Sequence, residues 1–172
     1  MTPFSDAVKA VQTARGSRHG YEKVEARGGF ATAITPALAA WLAEQVTAYL
    51  ATASADGQPY LQHRGGPPGF LRVLDDHTLA WVDYVGNRQY ISTGNLTENA
   101  KACLFVMDYA RKQRVKFWGT ARVVTDDPAL VATLMPEGST AKVEQVIVLT
   151  VEMWDGNCPQ HIPDLELRRR GP

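Results

Sequence analysis

Residues 51–124 alternate short β-branched, apolar or aromatic runs with turn clusters, and this alternation confines the chain to a small antiparallel β architecture. The clusters are Asp56-Gly57, the stretch His63-Arg64-Gly65-Gly66-Pro67-Pro68-Gly69, then Gly86-Asn87-Arg88 and Ser92-Thr93-Gly94-Asn95. Glycine lets a backbone come close to a ligand, arginine carries permanent positive charge, and hydroxyls and Asn supply neutral hydrogen bonds. Together they mark an anion-binding β-barrel, and the ligand they imply is a phosphorylated cofactor.

Helices precede the barrel. Residues 3–15 set Phe4, Ala7, Val8 and Val11 at helical spacing, whereas residues 17–33 are polar and glycine-rich and read as a loop or irregular arm. Thr35-Pro36 starts a helix, with the hydroxyl as N-cap and proline in the first turn; Leu38, Trp41, Leu42 and Gln45 continue it, and it is expected to lid one barrel end. From Thr47 the period changes. Residues 49–54 and 60–64 form a hairpin about Asp56-Gly57, and residues 70–74 and 78–83 a second about Asp75-Asp76-His77. Asn95, with Glu98 three residues on, resembles a capping box opening a helix. Residues 102–108 and 114–124 are further strands, Asp127-Pro128 opens a helix to about Met135, and 146–154 is the closing strand. The expectation is one domain over residues 1–172, mainly β with flanking helices: a helical arm and lid at 1–46, a six-stranded antiparallel barrel at 47–154 and a tail at 155–172.

Composition narrows the partners. Eighteen basic residues balance eighteen acidic ones, so the footprint of a nucleic-acid or anionic-membrane binder is absent and any phosphate is met locally. Residues 1–15 carry Asp6 and no long apolar run, and no later stretch has the length needed to span a bilayer; the expected location is cytoplasmic. Cys103 and Cys158 read as reduced thiols.

A phosphate monoester brings close to two negative charges that must be paired where they are partly desolvated. Arg64, Arg88, Arg114 and Lys116 are the candidate partners, each at a strand end or turn; the alternative for each is a solvated charge or an ion pair with Asp83, Glu98 or Asp108. Ser92 and Thr93 are candidate hydroxyl donors that equally serve to shape a turn. Cys158 and His161 have a metal-like spacing, but no second pair of ligands accompanies them and no metal is expected.

The order of residues 51–59, a strand ending in Asp83-Tyr84, Gly86-Asn87-Arg88, residues 95–100 and residues 114–119 resembles the pyridoxamine 5'-phosphate oxidase-like, FMN-binding split-barrel family over about residues 41–154. The string Gln62-His63-Arg64-Gly65-Gly66-Pro67-Pro68-Gly69-Phe70 is similar to a bacterial branch described as FMN-binding. The resemblance implies a six-stranded Greek-key split barrel and a homodimer with FMN in the cleft between subunits. It puts Asn87 and Arg88 where the family has a Ser-Arg-Lys run on the phosphate, and Arg114 where a Gln touches the flavin. Gln62 and Pro67 stand where the vitamin B6 oxidase has a phosphate-binding Arg and a Lys, so Arg64 is expected to supply the missing charge. Residues 158–163 replace that oxidase's Arg-containing close, which argues against vitamin B6 phosphate as substrate.

A flavin carries its own redox chemistry, so the protein must hold the ring, hydrogen-bond its polar edge and cover one face. The amides of Gly65 and Gly66 are candidates for the edge, Trp118 for the face, and His63 for polarising an acceptor; Trp81 reads as core. FMN rather than FAD is expected, because no Gly-x-Gly-x-x-Gly turn for a pyrophosphate is present. The functional expectation is an FMN-dependent oxidoreductase passing electrons from a reduced donor to a small organic acceptor. Binding of another planar cofactor, haem or a deazaflavin, and a flavin carrier or sensor without turnover remain open.

Overall fold

The computed structural model describes residues 2–156 and 160–163, so Cys158 lies outside the described residues. Ser5 opens α1 (Asp6–Ala14), its hydroxyl accepting from the Val8 N–H at 3.3 Å. The segment expected as a loop contains a second helix, α2 (Arg18–Ala26). It buries no side chain of its own and is held by charge: Arg18 reaches Gln12, Glu22 and Glu25, and Lys9 bridges to Glu25 at 3.3 Å. A helix pinned by ion pairs carries no apolar stripe, which is why hydrophobic periodicity passes over it. In α3 (Pro36–Ala43) the Thr35 hydroxyl accepts from the Leu38 N–H at 3.2 Å, with proline in the first turn. At eight residues α3 would be marginal alone; Leu38 and Leu42, buried in the barrel core, secure it.

The strands are β1 (Thr47–Ala53), β2 (Pro59–Gly65), β3 (Arg72–Asp75), β4 (Thr78–Tyr84), β5 (Lys101–Asp108), β6 (Gln113–Val124) and β7 (Val143–Gly156), with α4 (Ile91–Glu98) between β4 and β5 and α5 (Pro128–Leu134) between β6 and β7. They form one antiparallel sheet in the order β2-β1-β5-β6-β7-β4-β3. Seven strands, rather than the expected six, make this sheet. β3 joins it through the pairs Arg72↔Ala80 and Val73↔Leu79, while Phe70 and Leu71, expected to begin that strand, turn into the core.

The β1–β2 turn follows the Asp-Gly reading, with Gly57 at φ 91° and its N–H bonded to the Ser54 carbonyl at 3.0 Å. Inward residues alternate along β1, where Ala48, Leu50 and Thr52 are buried. They meet Leu104, Phe117, Trp81 and Leu149 in one core, while Leu134 of α5 covers Ala80, Val82, Val146 and Val148. Trp81 is core, as expected. The long β6–β7 pair bends at a bulge beside Gly119, where a Cβ would stand 1.9 Å from the Thr150 carbonyl oxygen. The sheet curls until β2, at one edge, reaches β4 near the other: Arg64 Nη1 donates to Asp83 Oδ1 at 2.7 Å. This open, curled sheet is consistent with a split barrel. No helix among the described residues is long and apolar enough to cross a membrane, and no group of three metal-ligating side chains occurs among them.

Candidate functional site

Loop residues 86–90 and the first turn of α4 close over the ends of β2, β4 and β7, leaving a narrow cleft of about 40 Å³. A chain of polar contacts lies along it. The two Nη atoms of Arg64, a residue 8% exposed, donate to Asp83 Oδ1 at 2.7 Å and to Gln62 Oε1 at 3.1 Å. The Ser92 hydroxyl donates to the same Gln62 oxygen at 2.9 Å. On the other side, Gln145 Nε2 donates to Asp83 Oδ2 and to Thr93 Oγ1, each at 2.9 Å. Ser92, Gln62, Arg64, Asp83, Gln145 and Thr93 thus form an unbroken run tying α4 to three strands. Burial lowers the pKa of the Arg64 guanidinium and Asp83 opposes the shift; the group stays cationic, as arginine does in proteins. Two buried polar atoms on residues lining this cleft have no partner: Arg64 Nε and Tyr84 Oη. An orphaned buried polar atom is costly, and two more, Trp41 Nε1 and Arg114 Nε, lie on residues lining a second groove.

The loop itself is strained. Arg88 and Tyr90 adopt left-handed backbone, φ 60° and 55°, which non-glycine residues seldom do outside functional sites and turns. The loop is held by the Gln89 N–H on Asn87 Oδ1 at 3.2 Å, by Arg88 Nε donating to Tyr90 Oη at 3.1 Å, and by the Tyr90 hydroxyl donating to the Glu144 carboxylate. The Tyr90 hydrogen bond, with the charge of Glu144 behind it, raises the pKa of Arg88. The helix that follows begins at Ile91 with Tyr90 as its N-cap, five residues before the Asn95 cap expected from sequence. Asn95 caps nothing: its buried amide donates to Thr52 Oγ1 at 3.0 Å, and Glu98 reaches across to the Ala55 N–H. Side-chain burial of Ser92, Asn95 and Leu96 overrides the local signal.

The expected site residues divide into four places. Arg64, Asn87, Arg88, Ser92 and Thr93 line the cleft together. His63, Lys116 and Trp118 alternate onto the other face of the sheet: His63 bonds Thr47 Oγ1 at 2.8 Å, Trp118 stacks on Phe30 at 6.0 Å, and the Lys116 ammonium lies 5.9 Å from the Trp118 ring. Arg114 lines a separate groove with Trp41 and Trp154. Gly65 and Gly66 are tightly enclosed, with a Cβ at Gly66 standing 2.6 Å from Phe70 Cβ and the Gly66 N–H already bonded to the Val46 carbonyl at 3.2 Å.

A model of the pyridoxamine 5'-phosphate oxidase family matches residues 34–158. The chain belongs to this family. Its fold is also that of solved structures. HupZ of Group A Streptococcus is similar at a TM-score of 0.58 and 23% identity, over 72% of this chain and 93% of that one. A candidate pyridoxamine 5'-phosphate oxidase of Lactobacillus delbrueckii is similar at 0.53 and 25% identity, over 73% and 95% of the two chains. An FMN-binding protein of Syntrophomonas wolfei is similar at 0.50 and 11% identity, over 85% and 97%. No curated protein matches the sequence.

Within this family member, sequence reading reached the arginines and hydroxyls of the cleft but not Tyr84, Tyr90, Glu144 and Gln145. The available signal was a polar Glu144-Gln145 pair directly before the apolar run 146–149, at the start of a strand whose burial on both faces should exclude polar side chains.

Proposed function

We propose that the chain is an FMN-binding oxidoreductase that holds the FMN phosphate in the cleft of Arg64, Arg88, Ser92 and Thr93. The observation carrying this reading is the pair of buried, unpartnered polar atoms, Arg64 Nε and Tyr84 Oη, in a cleft that also offers the Arg88 guanidinium. A phosphate provides acceptors that such donors lack. Thr93 Oγ1 accepts from Gln145, so its own proton is available to the same ligand. Asp83 holds Arg64 in place and Gln145 orients Asp83, so the donors are fixed before the ligand arrives. Asn87 shapes the Arg88 turn through the Gln89 N–H.

When bound, the flavin ring supplies hydride and electron transfer, and the protein binds, orients and shields it. His63, Lys116 and Trp118 share the outer sheet face with Tyr49, Leu61 and Phe105, and Arg114 lies at the start of the same β6 strand. This face, where Leu61 is 61% exposed, is the surface a second copy would cover in the homodimer. The expected cytoplasmic location is kept as part of this proposal.

Equilibrium titration of the protein with FMN and FAD, followed by flavin fluorescence, tests the reading. FMN is expected to saturate one site per chain at lower concentration than FAD; equal affinity for both, or no flavin binding, contradicts it.

A further inference from the structure

The lining of the cleft is electrically balanced. Arg64 is neutralised by Asp83 inside the buried network, and Arg88 is engaged by Tyr90, whose hydroxyl is in turn on Glu144. Arg64 is therefore paired directly with a carboxylate, whereas Arg88 reaches one only through the Tyr90 hydroxyl. The two commitments differ. Arg64 and Asp83 are 8% and 16% exposed and cross-linked by Gln62 and Gln145, so that pair cannot separate without stranding a buried charge. Arg88 and Tyr90 are exposed, on a loop held in left-handed backbone, and their bonds can be exchanged with water at little cost. Glu144 serves nothing else: among the described residues its only hydrogen bond is with Tyr90. It sits at the start of β7 next to Gln145, on the rim shared by this cleft and the groove between β7 and α5.

We propose that Glu144, by holding the Tyr90 hydroxyl on Arg88, is a built-in competitor for that guanidinium, so that a phosphorylated ligand binds by exchanging the Arg88–Tyr90 hydrogen bond for its own phosphate oxygens. The inference rests on the reading of the cleft as a phosphate site. Glu144 is on this account a specificity-determining residue: it holds the cleft neutral when free, so only a ligand with enough negative charge displaces it. It lowers affinity for FMN and leaves riboflavin, which has no phosphate to compete for Arg88, unaffected. No bond is made or broken beyond hydrogen bonds and ion pairs, and the charge that leaves Glu144 unpaired is solvated at the rim.

The test is a set of flavin-fluorescence titrations on wild type, Glu144→Gln, Tyr90→Phe, Arg88→Ala and the double variant Arg88→Ala/Glu144→Gln, each with FMN and with riboflavin. Tighter binding of FMN than of riboflavin by wild type is required by the phosphate reading, and its absence overturns that reading and this inference together. With that difference present, Glu144→Gln is expected to tighten FMN roughly threefold with riboflavin unchanged, the scale of one exposed charged contact relaxed. Tyr90→Phe should shift FMN affinity in the same direction, and the gain from Glu144→Gln should vanish in the Arg88→Ala background. An unchanged or weakened FMN affinity in Glu144→Gln overturns the inference alone. So does a gain that persists in full without Arg88, because it would report plain repulsion between Glu144 and the phosphate.

Discussion

Arg64 is the residue on which the cleft turns, and its partner is the more informative mutation. Asp83→Ala leaves a guanidinium 8% exposed without its counter-ion, a loss of about 3–5 kcal/mol for breaking a buried pair. The expected consequence is a fall in Tm of roughly 10 °C, measured by differential scanning calorimetry. An unchanged Tm would mean that solvent screens the pair and the β2–β4 closure rests on packing. Arg64, Arg88, Ser92 and Thr93 were legible as anion ligands because residue type alone announces charge and hydroxyl. Asp83 was legible only as one alternative partner, and Gln145 not at all: their contacts span 19 and 62 residues and exist only once the sheet has curled. Cys103, read from the sequence as a thiol, is half-buried. Burial pushes its thiol pKa up, with Lys116 opposing. In a Cys158→Ser background it should react with a thiol reagent at pH 7 more slowly than free cysteine; reaction as fast as free cysteine would place it in open solvent.

At the scale of elements, hairpins were read from their turns and helices from their caps, and both succeeded where the signal was local. Thr35 and Asp127 each accept a backbone N–H three residues on, and the Asp-Gly turn stands at Gly57. The failures share one cause. α2 is held by ion pairs to α1, α4 by burial beneath the barrel strands, and β3 is shortened because Phe70 and Leu71 are drawn into the core; each is a tertiary effect without a local mark. Gly119 shows the same at one position. The β6–β7 bulge brings the Thr150 carbonyl so close that no side chain fits, so Gly119→Ala must part the two longest strands. The expected cost is about 3 kcal/mol, at the upper end of overpacking penalties, read from the denaturation midpoint in urea. A midpoint within error of wild type would show that the bulge relaxes freely.

The whole molecule divides its polar chemistry between two faces of one sheet, with the cleft on the inside and His63, Lys116 and Trp118 on the outside. The proposed homodimer would cover the outer face. Phe105→Glu introduces a charge beside Tyr49, whose ring is 6.4 Å from Phe105, and is expected to yield a folded monomer that no longer retains flavin through gel filtration. A monomeric wild type that keeps its flavin would contradict the dimer. The central claim, that the cleft recognises a flavin by its phosphate, is tested most directly by comparing FMN and riboflavin affinities of wild type and Arg88→Ala in the same titration. The account predicts that Arg88→Ala weakens FMN by roughly tenfold or more, the scale of a lost charge-assisted hydrogen bond, and leaves riboflavin unchanged; equal losses for both flavins, or no loss for either, would contradict it.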